Sequence, residues 1–382
     1  MKLRIKIAIV LLLSARCLIA QEDSTKITFN GQATAWGVGQ FENPFGIQFA
    51  GRFVPTLLGN FNLTKNSKID FEASLNINGS ANFTGLKYNS VMGQFKLYRD
   101  WVRYSTNKWE MRLGLQKINF GSAKLFRPLM WFDGVDVRDP LQLTDGVYGA
   151  LGRYFFSNNA NIWLWTLIGN KNPKGYETFG SAQWQPEIGG RVQIPAGPGQ
   201  LAFSTNFRDV DVHNMILSAP ENTLLSEKRI GLDGKWDLGI GLWFESSVTK
   251  LDANAYNLNI VQDSWNLGAD YTFGVGNGLG MTLEYFRYHA GDQFLVNGTA
   301  VNVIGSLFTY PVSILDNASA MVFYIPGNDL VYNYVNWTRT YDNWTLYAIG
   351  YWNPETPLSI SQSQGKNLFT GKGLQLMVNY NF

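Results

Sequence analysis

The chain of 382 residues contains one cysteine, Cys17, and two histidines, His213 and His289. With no cysteine beyond position 17, the rest of the chain excludes a disulfide framework, a thiolate metal site and a cysteine nucleophile. Charge of one sign is also missing. Lys and Arg number 31 against 29 Asp and Glu, a formal +2, and the basic residues are not clustered, so no nucleic-acid footprint is visible. No stretch after the first twenty residues approaches the roughly 18 uninterrupted apolar residues that a membrane-spanning helix needs. A Gly-rich phosphate-binding loop is absent, and no cofactor is expected. What is present is apolar mass without apolar runs: 45% hydrophobic and 15% aromatic residues, with 39 glycines.

The two ends carry complementary signals. Lys2, Arg4 and Lys6 form a positive start, Ile7 to Leu13 a short apolar core, and cleavage after Ala20 would leave Gln21 as the new N-terminus. Residues 1–20 read as an export signal too short to span a bilayer. Arg16 before Cys17 does not suit lipidation, which wants a small residue there. At the other end, Leu374, Leu376, Val378, Tyr380 and Phe382 alternate with mostly polar positions. This looks like the terminal strand of bacterial outer-membrane proteins, whose last aromatic residue helps recognition by the barrel-assembly machinery.

Between the ends, period-two alternation recurs. Ile69, Phe71, Ala73, Leu75 and Ile77 alternate with Asp70, Glu72, Ser74 and Asn76. Trp184, Ile188 and Val192 alternate with Gln183, Gln185, Glu187 and Arg191, and Leu201, Phe203 and Phe207 oppose Ser204, Asn206 and Arg208. Trp265, Leu267, Ala269, Tyr271 and Phe273 oppose Ser264, Asn266, Gly268 and Asp270. Strands with one apolar and one polar face suit a barrel with lipid outside and a wet lumen, closure satisfying every backbone hydrogen bond. Short turns, such as Asn107-Lys108 and Tyr341-Asp342-Asn343, alternate with long connections at 79–94, 120–145, 209–225, 250–260, 290–328 and 354–369. With both termini periplasmic, the long connections lie outside. The fold expected for 21–382 is an all-β, transmembrane antiparallel barrel of about 16 strands, or 18 if Val301 to Phe323 holds an extra hairpin. Pro55 and Pro186, within strand runs, are expected at bulges. Asp100 faces lipid if Arg99, Trp101 and Arg103 face inward, and only a bulge or a rim position accounts for it.

One region carries a family likeness. Arg112-Leu113-Gly114-Leu115-Gln116 leads through Phe120-Gly121 into Phe132-Asp133-Gly134-Val135-Asp136-Val137-Arg138-Asp139-Pro140. A strand with Gly-x-Gln, then a glycine, then an acidic loop with Asp-Pro resembles porin-like outer-membrane families related to the alginate-export barrel, over roughly a tenth of the chain. That family often has Trp where this chain has Phe120. The resemblance implies an aqueous channel narrowed by long loops, with Arg112, Gly114, Gln116 and Gly121 at lumen or loop-entry positions. It does not transfer the alginate cargo, which needs a strongly basic conduit.

The residues themselves agree. Trp109, Met111, Leu113 and Leu115 form a lipid face, so Arg112 and Gln116 point inward. A two-residue turn at Asn107-Lys108 sets Arg103 opposite Arg112 and Trp101 opposite Gly114. Like charges across a ladder are unfavourable, but tolerable in a wet lumen beside carboxylates or where anions pass. The expected pore lining is therefore Arg99, Arg103, Arg112 and Gln116 on one wall. A loop over 120–145, folded inward, adds Arg127, Asp133, Asp136, Arg138 and Asp139. Other inward charge, such as Arg52, Arg191, Arg208 and Arg229 against Asp70, Glu227, Glu245 and Glu284, is mixed, which points to weak ion preference.

Chemistry finds little support. His213 beside Asp209 and Asp211 resembles an Asp/His cluster, and Asp133, Asp136, Asp139 and Asp145 could offer oxygens to calcium. A solvated polar loop explains both, and both histidines are expected in outer loops. The expected function is passive diffusion of small hydrophilic solutes or ions across the bacterial outer membrane, without enzymatic activity and with outer-membrane lipid as the surroundings. A barrel enzyme, a structural or adhesive barrel plugged by its loops, and a soluble secreted β-protein are the alternatives. Against the plugged barrel stands a scarcity of apolar side chains to fill the lumen, though the 120–145 loop could itself form a plug.

Overall fold

Alternating faces and short turns give a meander. The structure is a computed structural model that describes residues 25–212, 223–252, 260–356, 358 and 369–382. The export signal, Gln21 and His213 lie outside them. The first strands are β1 (Thr25–Gln40), β2 (Gly46–Thr64), β3 (Ser67–Thr84), β4 (Lys87–Thr106), β5 (Trp109–Gln116), β6 (Val147–Phe155), β7 (Asn161–Leu167), β8 (Glu187–Ala196) and β9 (Gly199–Asp211). The rest are β10 (Leu224–Asp237), β11 (Gly241–Leu251), β12 (Val261–Phe273), β13 (Leu279–Gln293), β14 (Val296–Pro311), β15 (Asp316–Ile325), β16 (Leu330–Thr340), β17 (Trp344–Trp352) and β18 (Lys372–Asn381). Each pairs antiparallel with the next, and β18 pairs with β1 to close the barrel. There is no α-helix among the described residues.

The count is 18, the larger expected value. The extra hairpin is β14–β15, whose register runs from Ile304 opposite Tyr324 to Pro311 opposite Asn317. The supposed loop 290–328 is thus mostly strand, and 79–94 is the top of the β3–β4 hairpin, turning at Gly85-Leu86. Conversely, 168–186 is a long outer connection that alternation had disguised. Strand β8 begins only at Glu187, so Trp184 and Pro186 precede it, and Trp184 is among the most exposed aromatic residues.

The closing ladder pairs Gln32–Gln40 with Gly373–Asn381, and Gly31 extends it at one end. The Gly31 N–H donates to the Phe382 carbonyl and its carbonyl accepts from the Phe382 N–H. A side chain at Gly31 would collide with the Val54 carbonyl and the Phe382 ring, so only glycine lets β1, β2 and the C-terminus meet. Phe382 also stacks beside Phe53 and near Phe29. Opposite Gly31, Pro55 lies in an unbroken β1–β2 register rather than at a bulge.

The bulge lies in β4 instead. Ser74 faces Arg99 but Leu75 faces Leu97, so Tyr98 is one residue too many. An extra residue reverses the facing of all that follows. Arg99, Trp101 and Arg103 therefore point inward, and Asp100 is exposed on the outer face between Ala73 and Leu115.

Candidate functional site: a clamped loop across the lumen

The connection between β5 and β6, residues 117–146, enters the lumen without regular secondary structure. It leaves β5 past Gln116 and turns at Gly121, where φ is +100° and any side chain would run into the Glu245 carboxylate. Beyond the turn, two carboxylates of the far wall hold the loop backbone. Glu245 on β11 accepts the N–H groups of Ala123 (2.6 Å) and Leu129 (3.2 Å). Glu284 on β13 accepts those of Lys124, Leu125 and Phe126, at 2.6, 3.0 and 2.8 Å. Trp243 Nε1 and Asn266 Nδ2 donate to Glu284 as well. Both glutamates are fully buried, and a buried carboxylate is tolerable only when hydrogen-bonded in this way. Lys124 also pairs with Asp270.

Apolar packing completes the attachment. Phe120, Leu129, Trp131 and Phe132 pack with Val147, Leu151, Trp165 and Leu167. Leu125 and Phe126 join Phe286, Val303, Phe323, Tyr334 and Ile349 on the inner side of β13–β17. The inner side of β13–β17 is therefore largely apolar, contrary to the expected scarcity of apolar side chains in the lumen. A second connection, 168–186, backs the first. Glu177 bridges Arg208 (3.0 Å) and Arg229 (2.8 Å), which also pair with Glu227. Tyr176 stacks on Phe286, and its enclosure pushes the phenol's pKa up.

On the near side, a cavity of about 330 Å³ opens between the loop and the β2–β4 wall. Arg52, Lys96 and Lys174 face it together with Asp133, Asp136, Asp139 and Asp145. Lys96 reaches Asp145 at 2.5 Å. Arg52 forms no ion pair with a described residue and lies over the Trp36 ring, 5.5 Å from its centre. Partial burial raises the Asp139 carboxyl above its ordinary value, against the pull of Arg52 and the backbone N–H of Leu141.

The expected pore residues separate into groups. Asp133, Asp136 and Asp139 border the cavity. Arg127 instead pairs with Asp133 (3.0 Å) and Arg138 with Asp136 (2.7 Å), within the loop and not across the lumen. Burial opposes the Arg127 charge, but the carboxylates of Asp133 and Glu245 outweigh it and hold its pKa up. Arg99 is buried and braces the loop's return through the Thr144 carbonyl (2.9 Å). Gln116 is fully buried, its amide bonded to the Gly149 carbonyl. Leu115, expected to face lipid, is only 5% exposed.

Nearer the periplasmic turns, Arg103 and Arg112 stand opposite each other as expected, as do Trp101 and Gly114. Arg103 chelates Asp70 through Nε (2.8 Å) and Nη2 (2.5 Å), while Arg112 stacks over Trp101 at 4.6 Å without a carboxylate partner among the described residues. Arg153, bound to Glu110 at 3.1 Å, completes a basic wall. Lys96, Lys174 and Arg153 were not singled out from sequence. The bulge at Tyr98 and the unrecognised 168–186 connection hid the first two, and Arg153 has the inward phase of β6 as its only signal.

His289 is not in an outer loop. It lies on β13 with Nδ1 2.7 Å from Asp263. Among the described residues no group of three or more His, Cys, Asp or Glu is placed to hold a metal ion.

A closed 18-stranded barrel with a long loop folded inward and held to the far wall has the architecture of a porin. Neither a protein-family model nor a curated protein sequence matches the chain. Solved outer-membrane structures do match in fold. The anion-selective porin from Comamonas acidovorans shares 16% identity over 94% of this chain and all of its own, with a TM-score of 0.50. OccAB4 of Acinetobacter baumannii shares 11% over 94% and 99%, with a TM-score of 0.55. OmpF of Salmonella typhi, in complex with daunomycin, shares 10% over 95% and 99%, with a TM-score of 0.50. The chain is a β-barrel of the outer-membrane porin fold, the class its strand alternation and Phe382-terminated last strand anticipated.

Proposed function

We propose that the protein is a passive, non-catalytic channel for small hydrophilic solutes or ions in the bacterial outer membrane. The supporting observation is the asymmetry of the lumen. Glu245 and Glu284 draw residues 121–129 to one wall, and the open side carries charge of both signs in the cavity beside β2–β4. A solute would pass Arg52, Lys96 and Asp139, then the basic wall of Arg103, Arg112 and Arg153. Confinement by low-dielectric walls makes each charge count for more than it would in bulk water. Because most cations are already matched, ion preference is modest, with the uncompensated Arg112 tilting it towards anions.

Purified protein in planar bilayers tests the reading. It predicts discrete conductance steps, a reversal potential on the anion side, and higher conductance when part of 125–140 is deleted. Silent bilayers from correctly folded protein would instead support a loop-plugged structural barrel. Hydrolysis of peptides or lipids by the purified barrel, abolished by His289→Ala, would support an enzyme.

A further inference from the structure

The β2–β4 wall changes character towards its outer end. Between Arg52 and Lys96 at the cavity and Lys87 at the β3–β4 tip, no inward position of β2, β3 or β4 carries a charge. Asn78, Ser80 and Asn82 on β3 stand between Gln48 on β2 and Ser90 and Gln94 on β4, with Ala50 and Met92 at the other two paired positions. Asn76, Asn78 and Gln94 line the cavity together with Arg52 and Lys96. Period-two alternation and the Gln48–Asn82 hydrogen bond put the rest on the same lumen face.

The amides fix one another. Gln48 Nε2 donates to Asn82 Oδ1 (2.8 Å), and Asn82 Nδ2 to the Ser90 hydroxyl (3.2 Å). Lower down, Asn78 Nδ2 donates to Asn76 Oδ1 (3.0 Å). Among the described residues nothing bonds Gln48 Oε1 or Asn78 Oδ1, which remain acceptors, or the Ser90 hydrogen, which remains a donor. Gln94 is exposed and keeps both ends of its amide. A strand rises about 3.3 Å per residue, so from Asn76 to Asn82 these groups form a strip about 20 Å long.

At the foot of the strip lies the cavity, of a size at the lower end of the roughly 300–1,000 Å³ typical of small-molecule sites. Its charges are matched. Lys96, Arg127 and Arg138 pair with Asp145, Asp133 and Asp136, and Lys174 with Glu187, which leaves Arg52 beside Asp139. An ion finds no net opposite charge there and nothing along the strip to replace its hydration. A hydroxyl both donates and accepts, so a chain of hydroxyl-bearing rings meets a partner at every step. Tyr98 and Phe132 add ring surface to the cavity.

We propose that this strip and the cavity below it bind a short neutral oligosaccharide, with Gln48, Asn78, Ser90 and Gln94 hydrogen-bonding successive sugar rings. The inference rests on the channel reading and names the class of its solute.

Titration calorimetry of the full barrel, in a detergent without a sugar headgroup, tests the site separately from conduction. Maltotriose and cellotriose are the probes. At least one is expected to bind saturably, and more tightly than glycylglycine or succinate. Losing one hydrogen bond weakens binding about five-fold. Gln94→Leu is therefore expected to raise the Kd by about that factor, and Gln48→Leu, which also releases Asn82, by at least as much. Heat-modifiable migration shows whether each variant has folded, and if Gln48→Leu has not, Gln94→Leu alone decides. Absence of saturable binding of both trisaccharides overturns the proposal, as does tighter binding of glycylglycine or succinate, or wild-type affinity in the leucine variants. Conductance steps in planar bilayers would leave the channel reading standing in each of those cases. Saturable sugar binding by a barrel silent in bilayers would support the site and overturn passive conduction instead.

Discussion

Arg103 and Arg112 face each other across the β4–β5 ladder, yet only Arg103 is neutralised. Asp70 takes it in a fork and Glu110 lies 3.4 Å away, whereas Arg112 lies over the Trp101 ring with no carboxylate partner among the described residues. The two arginines therefore differ in the field they present to a passing ion. A charge next to its counter-ion is nearly invisible at a distance, and one over an aromatic face is not.

Arg112→Gln should accordingly move the reversal potential under a KCl gradient towards cations. Arg103→Gln also removes one positive charge and uncovers the Asp70 carboxylate, so it should move the potential the same way, and it alone should lower the stability of the barrel because Asp70 loses its two-point partner. A shift towards anions in either variant would show that these arginines do not set the lumen field.

The loop clamp makes a second prediction. Glu284→Ala strands the N–H groups of Lys124, Leu125 and Phe126 in a buried place. An unsatisfied buried donor costs about 1–3 kcal/mol, and three of them oppose the loop's attachment. Single-channel recordings should show larger and noisier openings, and the heat-modifiable gel shift should occur at a lower temperature. Gly121→Ala, which collides with Glu245, should have the same sign. Unchanged conductance in both variants would mean that apolar packing alone holds the loop.

What could be read from the sequence depended on whether a strand has one polar face. In β12, Trp265, Leu267 and Ala269 against Ser264, Asn266 and Gly268 gave a period of two, and the strand lies as expected. Likewise, a two-residue turn left a single possible register for Arg103 and Arg112. The signal vanished in β14 and β15 because Val303 and Phe323 pack inward against Leu125 and Phe126 while Ile304 and Tyr324 face outward. Both faces there are apolar, so 290–328 resembled an irregular loop. His289 was misplaced for the same reason. In 183–186, chance alternation around Trp184 imitated a strand. The Asp100 anomaly came from Tyr98, since one inserted residue resets the phase without changing composition. Asp133, Asp136 and Asp139 could be placed in an inward loop, but their pairing with arginines of that same loop is tertiary information.

Acid should act through Asp139. Partial burial holds its carboxyl above the ordinary 3.8, so the folded chain takes up this proton at a higher pH than the unfolded chain. The contribution to stability is complete below the ordinary value and is lost as pH rises through the raised one. Asp139→Asn keeps an acceptor for the Leu141 N–H and should be at least as stable as wild type at pH 7, the difference closing as pH falls towards 4. In wild type, anion preference should grow over that interval as the carboxylate near Arg52 is neutralised. An Asn variant with the same pH-dependent selectivity would assign the effect to another carboxyl.

Deleting Phe382 tests the closure of the barrel. Its main chain exchanges two hydrogen bonds with Gly31, at 3.0 and 3.1 Å, and its ring sits 5.7 Å from both Phe29 and Phe53. Removing it takes away the last rung of the β1–β18 ladder, which otherwise runs from Gln32 opposite Asn381 to Gln40 opposite Gly373. The refolded fraction in detergent should fall, and the heat-modifiable band should lose stability even in the absence of any assembly factor. Phe382→Trp keeps both hydrogen bonds and an aromatic contact, so it should refold like wild type. If the deletion refolds normally in vitro but fails to assemble in cells, the residue acts through the assembly machinery and not through closure. Normal behaviour in both settings would remove Phe382 from either role.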